Sequence, residues 1–162
     1  MNSLLELQLR FVSDIGDKNF AMVFFTLGLI SYFYITGNKK ESLMFIFASL
    51  SPLFSMVLKL LFREKRPFGA YPSLGFDKYS FPSSHTLAYT AFWGYIIYFL
   101  FTNTVVPFPV RVFGIIVAAY LITMVGISRV YLGQHYVWDV AAGYIFGVLY
   151  LIFLIMVKQK LK

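Results

Sequence analysis

Residues 137–157 read VWDVAAGYIFGVLYLIFLIMV, an apolar run in which Asp139 is the one charged side chain. A helix of about 20 such residues crosses the hydrocarbon core of a bilayer. Four further apolar stretches precede it, at residues 20–36, 43–62, 86–102 and 112–127. Because backbone polar groups in lipid must pair within their own segment, these stretches favour helices. The sequence predicts an all-α integral membrane helical bundle of about five spans, in a single domain covering 1–162.

The composition of the whole chain supports a membrane protein. Of its 162 residues, 59% are hydrophobic, 20% aromatic and 13% charged. A soluble domain is about one quarter charged, so soluble, disordered and collagen-like classes are excluded. The absence of cysteine excludes thiolate catalysis and cysteine-ligated metals. In a membrane chain the location of each charge matters more than the net +7, so we expect no nucleic-acid partner.

The first 18 residues have a different pattern. An apolar stripe recurs at helical spacing at Leu5, Leu9, Val12 and Ile15, and the charged residues lie off it. These charges interrupt any apolar run, so the segment is not a signal peptide. The pattern predicts an N-terminal amphipathic helix, 1–18, at the membrane interface. A short helix packed on the rest of the chain fits the same stripe.

The connections between spans fall on two sides of the membrane. Five spans place the 63–85 and 128–136 connections together and the C-terminus on the other side. Lysine and arginine counts differ little between the sides, and the basic tail 158–162 favours a cytoplasmic C-terminus. The 63–84 connection is long and rich in aromatic residues, which predicts an ordered lid at the interface.

A histidine and an aspartate lie four residues apart at the start of the last span. A carboxylate beside one imidazole nitrogen leaves the other basic and oriented, as a nucleophile or general base requires. A plain hydrogen bond on a helix surface would use the same spacing. The pair is His135 and Asp139, and Arg129 precedes it after Ser128. The arginine predicts that an anion binds next to the histidine.

Two cations mark the end of the second span. Lys59 and Arg66 are seven residues apart, which places them on one face of a helix that Pro67 ends. Arg63 falls on that face as well. Long cationic side chains at a span's end also extend to lipid headgroups, which is the alternative explanation.

The third polar cluster opens the third span as Pro82-Ser83-Ser84-His85. Small residues that begin a helix present backbone N–H groups to an anion. The same residues fit an ordinary helix cap. Capping does not require His85, which could protonate a leaving oxygen as a general acid.

In order, the three clusters read Lys59-x₆-Arg66-Pro67, Pro82-Ser83-Ser84-His85 and Ser128-Arg129-x₅-His135-x₃-Asp139. This pattern resembles the signature of the type 2 phosphatidic acid phosphatase superfamily of membrane lipid phosphatases, which vanadium haloperoxidases and glucose-6-phosphatase share. The resemblance covers residues 59–139. Ser84 departs from it, because the family usually has glycine there; serine is small and keeps its backbone N–H.

The resemblance implies a mechanism. His135 attacks phosphorus and forms a phosphohistidine, Asp139 orients it, and His85 protonates the departing oxygen. Lys59, Arg66, Arg129, Ser83 and Ser84 hold the non-bridging oxygens. Three cations supply the charge that Mg²⁺ supplies elsewhere, so we expect no cofactor, no metal and inhibition by vanadate.

The implied substrate is a lipid phosphate that enters from the membrane. Undecaprenyl pyrophosphate ranks first, before phosphatidylglycerophosphate, phosphatidic acid, diacylglycerol pyrophosphate and lipid A 1-phosphate. The implied location is a bacterial inner membrane, with the active site on the periplasmic face. A transporter would place its charges near mid-span, and a non-catalytic lipid-binding protein would lack a catalytic group. The sequence does not indicate the oligomeric state.

Overall fold

A computed structural model describes residues 3–17, 20–67 and 78–161, and within these ranges the chain is helical without strands. Seven helices occupy them: α1 (Ser3–Asp17), α2 (Phe20–Ile35), α3 (Lys39–Ser49), α4 (Ser51–Phe62), α5 (Ser84–Thr102), α6 (Phe108–Tyr131) and α7 (Val137–Lys160). The predicted all-α bundle is confirmed, and each of the five apolar stretches is helical. Residues 68–77 of the 63–84 connection, for which a lid is predicted, lie outside the described residues.

The second apolar stretch forms two helices instead of one. α3 ends at Ser49 and α4 begins at Ser51, with Leu50 between them and Pro52 in the first turn of α4. Proline lacks the N–H that would continue the α3 hydrogen-bonding pattern, so the helix is interrupted there. Together α3 and α4 still form one apolar segment of 24 residues.

Three segments among the described residues are long and apolar enough to cross a membrane. They are Lys39–Phe62, Phe108–Tyr131 and Val137–Lys160, and Met22–Ile35 is a shorter apolar helix. α5 falls outside this set because hydroxyl-bearing residues such as Thr86, Tyr89 and Thr90 lower its hydropathy. These side chains are buried against the other helices, so they do not contact lipid.

α5 is the central helix and contacts α3, α4, α6 and α7. Its approach to α7 is close enough to require two glycines. A Cβ atom would lie 2.8 Å from Thr86 Cβ at Gly143 and 2.6 Å from Thr90 Cβ at Gly147. Small residues four apart let two helix backbones approach in this way. The start of α5 is thereby held against the start of α7.

Much of the aromatic content packs in one cluster between α2, α3 and α5. The ring of Phe33 stacks on Phe45 at 5.4 Å and meets Phe99 edge-on at 5.2 Å. Tyr95 packs edge-on against Phe45 at 5.2 Å. Such aromatic pairs add to the stabilisation from burial alone.

α1 packs on α6 through the predicted stripe. Leu9 and Val12 are buried, and the Tyr89 hydroxyl donates to the Val12 carbonyl at 3.1 Å. The side chains of Leu5 and Ile15 lie outside the described set. The predicted stripe therefore faces the bundle and not the membrane. A contact of α1 with the membrane interface would use a second apolar face, which is exposed and consists of Leu4, Leu7 and Phe11.

Candidate active site

Four helix ends meet at one end of the bundle. α4 and α6 finish there, and α5 and α7 begin there. Lys59 lies in the last turn of α4 and Arg129 in the last turn of α6. His85 lies in the first turn of α5 and Asp139 in the first turn of α7. The motif residues, distant in sequence, therefore share one region of the fold.

His135 and Asp139 form a buried pair at the centre of this region. The distance between His135 Nδ1 and Asp139 Oδ2 is 3.4 Å, and neither side chain is accessible to solvent. His135 precedes α7, so the contact comes from the turn that enters the helix and not from helical spacing. The N–H of Tyr136 donates to the same carboxylate oxygen at 2.9 Å.

The other imidazole nitrogen has a different environment. His135 Nε2 is buried and has no hydrogen-bond partner in the part of the chain that the structure describes. Burial, together with the charges of Arg66, Lys59 and Arg129, lowers the pKa of His135 to about 4 against the opposing effect of the hydrogen bond to Asp139. The imidazole is therefore neutral at pH 7, with a lone pair available on one nitrogen.

The turn between α6 and α7 fixes the distance between arginine and histidine. The Arg129 carbonyl accepts hydrogen bonds from the N–H groups of Gln134 at 3.0 Å and His135 at 3.2 Å. Gly133 has φ of +66°, a conformation that side chains disfavour, so glycine permits the turn. The Arg129 guanidinium is buried and donates to Ser13 Oγ at 2.7 Å. α1 thus contributes to the placement of Arg129.

Lys59 points into the fold and not towards lipid headgroups. Its side chain is buried, and Nζ donates to the carbonyls of Tyr79 at 2.6 Å and Ser80 at 3.4 Å. The snorkelling alternative for Lys59 therefore does not describe its position.

The helical face predicted for the two motif cations is wrong. α4 ends at Phe62, and Arg63 adopts the left-handed region with φ of 55°, so Arg66 lies beyond the helix. Arg63 is exposed and donates to its own helix at the Leu60 carbonyl. Arg66 nevertheless reaches the site, where Nη1 donates to the Gln134 carbonyl at 3.2 Å. The left-handed turn redirects the chain and replaces the helical turn that spacing alone suggests.

The start of α5 faces the same region. The N–H of Ser83 donates to the Asp139 carbonyl at 3.0 Å, which joins the two helix starts. The first N–H groups of α5 lack intrahelical acceptors, as at any helix start, and His85 is half-buried among them. The Ser84 hydroxyl accepts from Ser55 Oγ at 2.9 Å. Arg63 is the one non-glycine residue with positive φ in the described chain, so Ser84 needs no glycine conformation.

Sequence reasoning missed Ser80, which contacts the centre of the site. Its hydroxyl donates to Asp139 Oδ2 and lies 3.3 Å from His135 Nδ1. Ser80 belongs to none of the three motifs, and serine at that distance from a proline motif carries no distinctive signal. Only the packing of residues 78–83 against α7 reveals it.

The region combines a neutral, oriented imidazole with three cationic side chains and a helix start. Such an environment has the chemical groups that could bind an anion next to a nucleophilic nitrogen. Among the described residues, no three His, Asp or Glu side chains come together as a metal site requires.

The chain is similar to a known protein family and to known bacterial proteins. The family model for the PAP2 superfamily matches residues 40–162. The chain is 29% identical to the Bacitracin transport permease protein BcrC of Bacillus licheniformis, over 94% of this chain and 79% of that one. It is 28% identical to Phosphatidylglycerophosphatase B of Bacillus subtilis (strain 168), over 93% of this chain and 74% of the relative.

A solved structure has the same fold. The crystal structure of a transmembrane PAP2 type phosphatidylglycerolphosphate phosphatase from Bacillus subtilis matches all of this chain and 80% of its own, with a TM-score of 0.79 and 26% identity. The family match covers well over half of the chain. The protein therefore belongs to the PAP2 superfamily, the type 2 phosphatidic acid phosphatases, and is a multi-pass membrane phosphatase.

Proposed function

We propose that the protein hydrolyses a lipid phosphate through a covalent phosphohistidine on His135. Nε2 attacks phosphorus, the bond from that phosphorus to the oxygen of the departing lipid alcohol or lipid phosphate breaks, and His85 gives its proton to that oxygen. Water then attacks the phosphohistidine with His85 as the base, which releases phosphate and restores the imidazole. Asp139 orients His135 throughout.

The main support for this proposal is the difference in environment between the two nitrogens of His135. Nδ1 faces Asp139 and Ser80, whereas Nε2 is buried without a partner among the described residues. Burial of a polar atom without a hydrogen-bond partner costs free energy unless a ligand bonds to that atom. A phosphorus atom placed next to Nε2 would accept the lone pair of that nitrogen. The neighbouring cations would stabilise the oxygens bound to phosphorus.

In this proposal, phosphate binding requires no metal. Lys59, Arg66 and Arg129 neutralise the non-bridging oxygens, with Ser83 and the backbone N–H of Ser84 as further donors. Phosphoryl transfer depends mainly on positioning and on charge stabilisation, which these groups provide.

Undecaprenyl pyrophosphate is the substrate that we propose first. It ranks first among the lipid phosphates that the family resemblance implies, and the similarity to Phosphatidylglycerophosphatase B supports phosphatidylglycerophosphate as the second candidate. The bacterial relatives support a bacterial membrane protein, and we propose that it lies in the inner membrane with the site facing the periplasm.

The test is phosphate release by the purified protein in detergent with excess chelator, across the five lipid phosphates named above. We expect release from at least one lipid, and none from His135→Ala. Tyr95→Phe, which removes a buried hydroxyl far from the site, is the control for a general loss of folding. Release by His135→Ala at the normal rate, or activity that returns only with Mg²⁺, would contradict the mechanism.

Removal of the His85 side chain should slow the cleavage of the two leading substrates to different extents. A pyrophosphate releases a lipid phosphate, which is a much weaker base than the alkoxide that a phosphomonoester releases. Loss of the acid in His85→Ala should therefore slow phosphatidylglycerophosphate cleavage more than undecaprenyl pyrophosphate cleavage. Equal slowing of both would mean that His85 acts chiefly in the second step, on water.

A further inference from the structure

Ser80 is fully buried beside the His135–Asp139 pair, although no motif includes it. Its hydroxyl donates to Asp139 Oδ2 and lies 3.3 Å from His135 Nδ1. That oxygen of Asp139 also accepts from the Tyr136 N–H at 2.9 Å. Asp139 is therefore held from two directions besides its contact with the imidazole.

We propose that Ser80 is a positioning residue that directs His135 Nε2 towards the phosphorus atom. The inference rests on the proposed phosphohistidine mechanism, in which Nε2 is the nucleophile. Ser80 does not contact the reacting atoms and acts through Asp139 and the Nδ1 side of the ring.

The hydrogen-bonding capacity of a hydroxyl determines the ring tautomer. Serine has one proton to donate, and the ionised carboxylate of Asp139 can only accept it. The lone pairs of Ser80 Oγ then face His135 Nδ1, which favours the tautomer with the proton on Nδ1, as the adjacent Asp139 carboxylate also does. With the proton on Nδ1, the lone pair lies on Nε2, as attack on phosphorus requires.

The backbone of Ser80 connects the same pair to the phosphate-binding groups. Its carbonyl and that of Tyr79 accept from Lys59 Nζ, and its N–H donates to the Glu64 carbonyl at 2.8 Å. Glu64 lies two residues before Arg66 in the chain. One residue thus joins the orientation of the nucleophile to the segment that carries two of the cations.

The variant Ser80→Ala removes the hydroxyl and keeps these backbone contacts. We expect kcat to fall about 10- to 100-fold, the scale of a misplaced reacting group, with KM within about threefold of the wild type. Ser42→Ala is the matched control, because Ser42 is also buried but bonds to the Ile30 carbonyl away from the site. It should lower thermal stability without reducing kcat.

A second readout does not depend on turnover. The chain has two histidines, so ¹⁵N-labelled imidazole resonances can be assigned with His85→Ala. The wild type should show His135 protonated on Nδ1, and Ser80→Ala should show a larger share protonated on Nε2. If Ser80→Ala does not fold, Ser80→Cys takes its place, since a thiol is a weaker donor of similar shape.

A kcat within twofold of the wild type, or a loss of kcat with an unchanged tautomer, would overturn the role of Ser80. Failure of the phosphatase proposal has a different signature. In that case the wild type releases no phosphate, while the tautomer measurement still reports whether Ser80 orients the ring.

Discussion

The two ends of the bundle both bury charged residues but use them in opposite ways. At the distal cluster, which consists of Glu41, Tyr95 and Lys158, the carboxylate accepts from Tyr95 at 2.6 Å and pairs with Lys158 Nζ at 2.5 Å. Lys158 Nζ also lies 5.0 Å from the centre of the Tyr98 ring. The three groups saturate one another, so this cluster has no evident capacity for a ligand.

The active-site end has an excess of positive charge instead. Lys59, Arg66 and Arg129 surround one carboxylate, that of Asp139, and a neutral histidine. Asp139 and Lys158 are 19 residues apart on α7, about 28 Å along the helix axis, so the ends lie on opposite sides of a bilayer. A membrane fold therefore tolerates buried charges when they are paired, and an excess of one sign indicates a ligand.

The largest expected effect is at the active-site end. Asp139→Asn replaces an acceptor by an amide that can donate, which favours the wrong imidazole tautomer. We expect phosphate release to fall about 10³- to 10⁴-fold, as measured in detergent with saturating lipid. The midpoint of thermal unfolding should change little by comparison. Near-normal turnover would mean that the carboxylate does not orient His135.

At the distal cluster, Glu41→Ala should affect stability and not chemistry. It leaves Lys158 largely buried without its carboxylate, a change that costs about 3 kcal/mol or more. Thermal unfolding in detergent should show a clear decrease, with kcat preserved below the new midpoint. Glu6→Ala is the control, because the exposed Glu6–Arg10 ion pair should contribute less than about 1 kcal/mol. Equal losses in both variants would refute the contrast between the ends.

The pH dependence of activity tests whether His135 is buried among cations, as the structure shows. Because burial and three cations lower the pKa of His135 to about 4, the His135 ring, the proposed nucleophile, stays neutral down to that pH. We expect the acidic limb of kcat/KM near pH 4, so activity persists at pH 5. An acidic limb near the ordinary histidine pKa of about 6.5 would show that the ring is solvated.

The lowered pKa of His135 also makes the stability of the fold depend on pH. The folded pKa of His135 lies below the unfolded value, so the unfolded chain binds the extra proton first. The contribution of the neutral ring to stability is complete above about pH 6.5 and decreases as the pH falls towards 4. Unfolding midpoints measured between pH 4 and pH 7 should therefore rise with pH, and His135→Gln should reduce that slope.

The smallest expected effect concerns Ser84. Its backbone can form the same helix start as glycine, and its hydroxyl bonds to Ser55 on α4. Ser84→Gly should lower kcat/KM by about two- to fivefold and stability by about 1 kcal/mol, the value of one hydrogen bond. Ser55→Ala should match the stability loss. A loss as large as that in Asp139→Asn would mean that the Ser84 hydroxyl itself holds phosphate.

Much of the fold follows from local properties of the sequence. Apolar length predicts all five helical stretches, because lipid excludes unpaired backbone groups at every position of a span. The break at Leu50 could also be predicted from the sequence, since Pro52 lies within that stretch. The end of α4 at Phe62 could not be predicted, because the left-handed conformation favours glycine and asparagine, and an arginine at position 63 gives no such signal. That conformation decides how Arg66 reaches the site.

Composition and spacing along the chain were enough to predict the membrane helices, the family and the groups that we propose to bind and attack phosphate. Three features follow only from the packing of the helices: Ser80 contacts His135 and Asp139, α1 holds Arg129 through Ser13, and Glu41 pairs with Lys158. These contacts join residues from 55 to 117 positions apart. Hydrogen bonds act over about 3 Å, so such partners emerge only when helix crossings, here the glycine contact of α5 with α7, bring distant segments together.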